Sequence, residues 1–537
     1  MPSTSLGLSP QQQRSPAARP SNELIRRSHC RPAQPRYAQT LTAGFALAAG
    51  ILHLVACAVP GPAAPPPGAL DQLAAEVQAW VKAGEIVGAE VIVMQSGDLL
   101  LHKAFGFADK EHSVPMVKNG VISVKSMTKP VTATAVLMLA DEGRLSLDDT
   151  LTKYIPEYAG DPRVTLHDLL SHTSGDDGGF GGGGYNVYDF PSLAAWVEDW
   201  AVQKPAGTYG KFAYSNFNYA ALGYVVEVVT KAPLELFLQD RILTPLGMDE
   251  TWAHFTPEAE WAARVPVRYR WNFERAQFEG FWRNTDAQPW SFFPAGFGLW
   301  MTGLDYAKFA RLWLNRGRHE GKALLSKARV DEALGLHAHA GGTSYYGFGW
   351  FVERARTTDG RPVEFRHGGA DGSVGLAFPA SDAVVLLLTQ SQSPFFQGAF
   401  HNRVGMLGLF DHPGPNMEWA RERDVHEAPL DAAARSRYVG SYVGQGDGPP
   451  MGAHVSEGDS HLTLALGPQG RPIDIRQHLI PLGEHRFGIG RYEGGELVGI
   501  DPAGSMRFVL EDGEVNGLVA EYDGAVELVA TRVPGPH

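Results

Sequence analysis

Ser126-Met127-Thr128-Lys129-Pro130-Val131-Thr132-Ala133-Thr134-Ala135-Val136-Leu137-Met138-Leu139-Ala140-Asp141-Glu142-Gly143 is the stretch from which the rest of the chain is read. After its first turn it is largely apolar, so it predicts a buried helix closed by Gly143 as a C-cap. Its opening is polar: Ser126 and Lys129, at i and i+3, share one face of a helical turn. A serine hydroxyl is a weak nucleophile and needs a base beside it. Lysine, with an ordinary pKa near ~10.4, is a base near neutrality only if burial or a neighbouring cation lowers it by roughly 3 units, about 4 kcal/mol. The unpaired amides of a helix start can also face a developing oxyanion. Alone, Ser-x-x-Lys arises by chance on the order of once in such a chain, and its plain reading is a capping serine with a surface lysine.

Working outward, Ala69 to Lys82 has the spacing of an amphipathic helix, with Leu70, Leu73, Val77 and Trp80/Val81 on one side. Ala89 to Met94 and Leu99 to Phe107 read as strands around a Ser96-Gly97-Asp98 turn. A mixed region of helices and loops runs to about residue 340, including a glycine-rich mobile loop from Gly175 to Gly184 that lacks the ending of a phosphate loop. Strands return at Gly347 to Glu353, Glu364 to Arg366 and Ser373 to Thr389. Strands, helices, then strands predict an α/β sandwich: an antiparallel sheet assembled from both ends of the domain, flanked by helices, with a helical region inserted. From Arg437 onward short strand candidates separated by turns such as Asp512-Gly513 predict an all-β, barrel-like module.

Two further segments carry chemistry. In Tyr214-Ser215-Asn216, a phenol beside a lysine ammonium ionises more easily, so Tyr214 can take the proton of Ser126 and pass it to a leaving group. Lys129 and Tyr214 would then share one titration. The plain reading is a turn with a core tyrosine. In His367-Gly368-Gly369-Ala370, the glycines let a substrate lie against a strand edge, and the Ala370 N–H can be a second oxyanion donor. His367 would turn a polar or cationic group toward a substrate carboxylate or leaving group; the plain reading is a turn before a strand.

Together the three segments resemble the serine β-lactamase and penicillin-binding-protein superfamily, nearest to its class C β-lactamase, D-peptidase and esterase branch. Leu169-Leu170-Ser171-His172-Thr173-Ser174-Gly175, Leu246-Gly247-Met248, Asp305-Tyr306-Ala307-Lys308-Phe309 and Tyr346-Gly347-Phe348-Gly349-Trp350 extend the likeness over residues 69–410. It implies a β-lactamase/transpeptidase-like fold, acylation of Ser126, and proton transfer by Lys129 with Tyr214. It also implies substrate binding by Asn216, His367, Gly369 and Ala370, an oxyanion hole from the amides of Ser126 and Ala370, and a core-packing His172. β-Lactamases of this kind carry Lys-Thr-Gly or Lys-Ser-Gly at the third segment. The His-x-Gly here is similar to D-aminopeptidases and related peptidases. The expected activity is therefore a peptidase or amidase (D-aminopeptidase or D,D-carboxypeptidase type) or an esterase. The alternatives are a β-lactamase, and a non-catalytic penicillin-binding or sensor protein. The C-terminal Tyr438-Val439-Gly440-Ser441-Tyr442 resembles the lipocalin-like domain appended to many such hydrolases.

Composition fits this reading. The net charge of −13 argues against a nucleic-acid partner. The two cysteines, Cys30 and Cys57, precede the folded body, which excludes a thiolate nucleophile or cysteine-ligated metal there. No zinc motif or Gly-x-Ser-x-Gly elbow occurs, and neither cofactor nor metal is expected. Residues 1–57 read as a disordered leader and signal segment: Arg26, Arg27, Arg31 and Arg36 precede an apolar run from Leu41 to Ala56. The ending Leu54-Val55-Ala56-Cys57 resembles a bacterial lipobox, implying an acyl anchor on Cys57; cleavage after Ala58 is the competing reading. The expected layout is a Pro/Ala linker at 58–68, the hydrolase domain at 69–410, a linker at 411–430 and the all-β domain at 431–537. The expected location is the periplasm or membrane surface of a bacterial envelope, with a small molecule or peptide as partner.

Overall fold

The computed structural model describes residues 63–176, 187–203, 207–272, 275, 277–287, 290–341, 343–392, 395–411, 430–444, 451–457, 462–468, 477–483, 485–493, 496–522 and 525–533. Cys57 and the apolar run, most of the glycine-rich loop and most of the 411–430 linker lie outside them.

Strands Gly88–Gln95 and Ala383–Gln392 come from opposite ends of the first domain and pair antiparallel, Val91 against Leu387 and Val93 against Val385. Successive side chains of a strand point to opposite faces. Val91, Val93, Val385 and Leu387 meet Leu73 and Val77 of helix Ala69–Lys82 and Phe400 and Val404 of helix Phe395–Met406. Ile92, Leu386 and Leu388 turn the other way, into a core with Tyr306, Phe309 and Trp313 of helix Gly303–Leu314. Both faces are covered, which is why these strands read as unbroken apolar runs.

The sheet continues outward from Ala383–Gln392 through Gly372–Phe378, Phe365–Gly368, Phe351–Glu353, Ser344–Tyr346 and Ala338–Gly341, and from Gly88–Gln95 through Asp98–Asp109 to Val114–Pro115. Arg268–Asn272 adds a parallel pairing at Ser391. The helix Lys129–Asp141, buried from Lys129 to Leu139, packs against Asn216–Thr230 in the inserted helical region.

Three local expectations change. The run from Ser373 to Thr389 is a hairpin, Gly372–Phe378 and Ala383–Gln392, turning where Pro379 and a left-handed Asp382 interrupt the apolar pattern. The strand expected at Gly347 to Glu353 shortens to Phe351–Glu353, because Gly349 adopts φ 86° in the preceding turn. The helix expected from Ser126 begins as a 3-10 turn, Lys125–Thr128, before the α-helix proper.

The C-terminal region is a closed barrel of eight strands among the described residues, from Gly440–Gly444 to Ala525–Val533. Its own core holds Tyr442, Leu464, Leu479, Phe487, Phe508 and Leu518. No helix among the described residues is long and apolar enough to cross a membrane.

Candidate active site

The 3-10 turn at Lys125–Thr128 sets the nucleophile. Lys125 adopts φ 50°, a strained conformation for a residue with a side chain. Ser126 follows, part-exposed, while Lys129 one turn on is fully buried. Thr128 and Thr132 tie this turn to the chain at 295–299: Thr128 Oγ1 accepts from Leu299 N at 3.2 Å, and Thr132 Oγ1 donates to the Ala295 carbonyl at 2.6 Å. The Gly296 carbonyl is thereby brought over Lys129.

Lys129 Nζ lies 3.2 Å from Ser126 Oγ, 2.7 Å from Asn216 Oδ1 and 3.1 Å from the Gly296 oxygen. No carboxylate is among these partners, and burial holds the Lys129 pKa well below the ordinary lysine value. A neutral amine has two N–H groups and one lone pair. Asn216 Oδ1 and the Gly296 carbonyl only accept, so they take both N–H groups, and the lone pair is left for the Ser126 hydroxyl. The Tyr214 ring lies 4.8 Å from Nζ, and its phenol is hydrogen-bonded with Ser126. Burial raises the Tyr214 pKa above the phenol range, opposite to the easier ionisation expected beside a lysine ammonium.

Tyr214-Ser215-Asn216 is held from behind by residues 172–176. His172 Nδ1 accepts from Ser215 N at 3.1 Å, its carbonyl accepts from Ala213 N at 2.8 Å, and its ring packs 4.4 Å from that of Tyr214. The Asp176 carboxylate accepts from Ser215 Oγ and Trp200 Nε1, both at 3.0 Å. Ser215 Oγ also caps the helix that Asn216 begins, accepting from Phe217 N at 3.1 Å.

His367 is the penultimate residue of strand Phe365–Gly368 and is buried. Its Nδ1–H donates to the Gly368 carbonyl at 2.8 Å, and its Nε2 accepts from Tyr346 OH at 3.1 Å. Burial, with Lys129 nearby, pushes its pKa down to about 3. The imidazole is neutral with both nitrogens engaged, so the polar or cationic group expected to face the substrate is turned into the protein. Arg366, next in line, anchors the strand by bonding Glu353 at 2.6 Å and Glu364 at 2.9 Å. Gly369 lies flat against the nucleophile turn: a Cβ there would stand 2.4 Å from the Val124 oxygen. Ala370 is exposed beyond it.

The structure thus brings Ser126, Lys129, Tyr214 and Asn216 into contact and sets the His367–Ala370 strand end against the same turn. Sequence reasoning missed Gly296, whose backbone carbonyl carries no side-chain signal. It also missed Asp176 and Tyr346, and it read His172 as core packing. Each of the last three lay in or beside a noted motif, but only contacts distant in sequence give it a task.

A family model described as Beta-lactamase matches residues 70–409. Penicillin-binding protein 4 of Amycolatopsis lactamdurans is 30% identical over 392 residues, which is 68% of this chain and 95% of that protein. Esterase EstB of Burkholderia gladioli is 34% identical over 180 residues, 30% of this chain and 46% of the esterase. The octameric penicillin-binding protein homologue from Pyrococcus abyssi shares the fold, with a TM-score of 0.55 at 21% identity over 86% of this chain and 99% of that one. With this family match over a β-lactamase/transpeptidase-like sheet, the chain belongs to the Beta-lactamase family and is a serine hydrolase of it.

Proposed function

We propose that the chain hydrolyses amide or ester bonds through an acyl-enzyme on Ser126, as a peptidase or amidase of the D-aminopeptidase or D,D-carboxypeptidase type, or as an esterase. The observation that carries this is the arrangement at Lys129: a buried amine whose N–H groups are taken by Asn216 and Gly296, with its lone pair facing Ser126 Oγ at 3.2 Å. Ser126 Oγ bonds to the substrate carbonyl as its proton passes to Lys129 Nζ. The oxyanion is met by the amides of Ser126 and Ala370. Tyr214, held protonated by burial, donates to the departing nitrogen or oxygen and recovers its proton through Lys129. Water then attacks the acyl-enzyme by the same path in reverse.

The third segment supports a peptidase or esterase over a β-lactamase. A lysine there would offer a permanent cation to a β-lactam carboxylate, whereas His367 is neutral and engaged with Tyr346. A panel of D-amino-acid amides, short-chain p-nitrophenyl esters and a chromogenic cephalosporin tests the ranking. Turnover of amides or esters at a kcat/KM at least about tenfold above the cephalosporin is expected. Turnover of the cephalosporin alone would reverse it.

A further inference from the structure

Lys125 immediately precedes Ser126 and has no role in the proton path above. It is 8% exposed, and among the described residues its ammonium has no hydrogen bond or ion pair. Its Nζ lies over the Trp290 ring, 4.7 Å from the centroid. The charges it feels are those of Asp371 and Arg268. Asp371 follows Ala370 in the chain and is already matched: Arg268 Nε and Nη2 bond its two oxygens at 2.8 and 3.2 Å. Arg268 and Asp371 are themselves 6% and 1% exposed.

Two cations and one carboxylate are therefore nearly buried together beside the strand end that carries the Ala370 amide. The Lys125 backbone belongs to the same place: its Cβ is 3.3 Å from where a Cβ on Gly369 would stand. A buried excess positive charge is costly. Without an anion, Lys125 relieves it by giving up its proton, its pKa falling to about 7. An arriving anion would balance the group and keep Lys125 charged.

We propose that Lys125 binds a carboxylate carried by the substrate, within a few bonds of the carbonyl that Ser126 attacks, and so selects anionic substrates. The proposal rests on Ser126 being the nucleophile. It assigns to Lys125 the cationic task that a neutral His367 leaves open. An ammonium–carboxylate contact in a half-dry site gives about tenfold or more in kcat/KM.

The test uses two matched pairs on the full chain. On the acyl side, p-nitrophenyl hydrogen adipate is compared with p-nitrophenyl hexanoate; on the leaving-group side, D-alanyl-D-alanine with its C-terminal amide. The wild type is expected to prefer the anionic member of one pair by about tenfold or more, which also identifies the side that bears the carboxylate. Lys125→Met should bring that ratio close to one, and Lys125→Arg should keep most of it. No preference in either pair, or an unchanged ratio in Lys125→Met, overturns the proposal. Failure of the underlying reading looks different: wild-type Ser126 then takes no label from a fluorophosphonate. Should Lys125→Met not fold, the wild type still decides. Adipate should compete with neutral-ester turnover where adipamide does not, and equal inhibition or none by both overturns the assignment.

Discussion

At the scale of single residues, the site depends on charge being kept out. Lys129, His172 and His367 are all buried, and burial pushes each toward its neutral form. A proton on any one would repel the others, and among the described residues no carboxylate bonds Lys129 to compensate. Tyr346 contributes by giving its hydroxyl hydrogen to His367 Nε2. Tyr346→Phe leaves that nitrogen buried without a donor, at about 1–3 kcal/mol. The expected result is a few degrees' loss in thermal unfolding and a kcat/KM lowered about tenfold. Full activity in the variant would show that the His367 ring needs no holding. Ser126, Lys129, Tyr214 and Asn216 were legible because each lies in a short motif. The charge state was not, because it depends on what lies within a few ångströms, and partners such as Gly296 stand 167 residues from Lys129.

At the scale of elements, the reaction centre is a junction of three backbones: the turn at Lys125–Thr128, the segment before helix Asn216–Thr230, and the end of strand Phe365–Gly368. The close approach of the first and third is set by Gly369. Gly369→Ala puts a methyl 2.4 Å from the Val124 carbonyl, so one backbone must move. Such overpacking costs about 1–3 kcal/mol, and a shift near 1 Å at the oxyanion donors costs about a hundredfold in rate. We expect Gly369→Ala to fold with a lowered Tm and to lose about a hundredfold in kcat, with a smaller change in KM; wild-type kcat would contradict the junction. Long apolar elements such as Ala69–Lys82 and the central strands read correctly because burial on one or two faces leaves a plain periodicity. The hairpin inside Ser373–Thr389 is marked by Pro379-Ala380-Ser381-Asp382, but both of its strands are buried on both faces, so the run around that short interruption reads as one apolar stretch.

At the scale of the molecule, the central sheet closes only when residues 88–95 find residues 383–392, across nearly the whole first domain. The site sits where that long-range pairing meets the inserted helices, so an intact nucleophile environment reports that the whole domain has folded. The barrel keeps a separate core and contributes no residue to the proton path described. The central claim is that a neutral Lys129 activates Ser126 in this folded frame. Its most direct test is the rate of Ser126 phosphonylation by a fluorophosphonate as a function of pH, with the labelled peptide located by mass spectrometry and Ser126→Ala as the blank. Loss of the Lys129 proton creates the base, so the rate should rise with pH through a value well below the ordinary lysine pKa of about 10.4 and then level off. Label absent from Ser126, or a rate that climbs only near pH 10, would contradict the account.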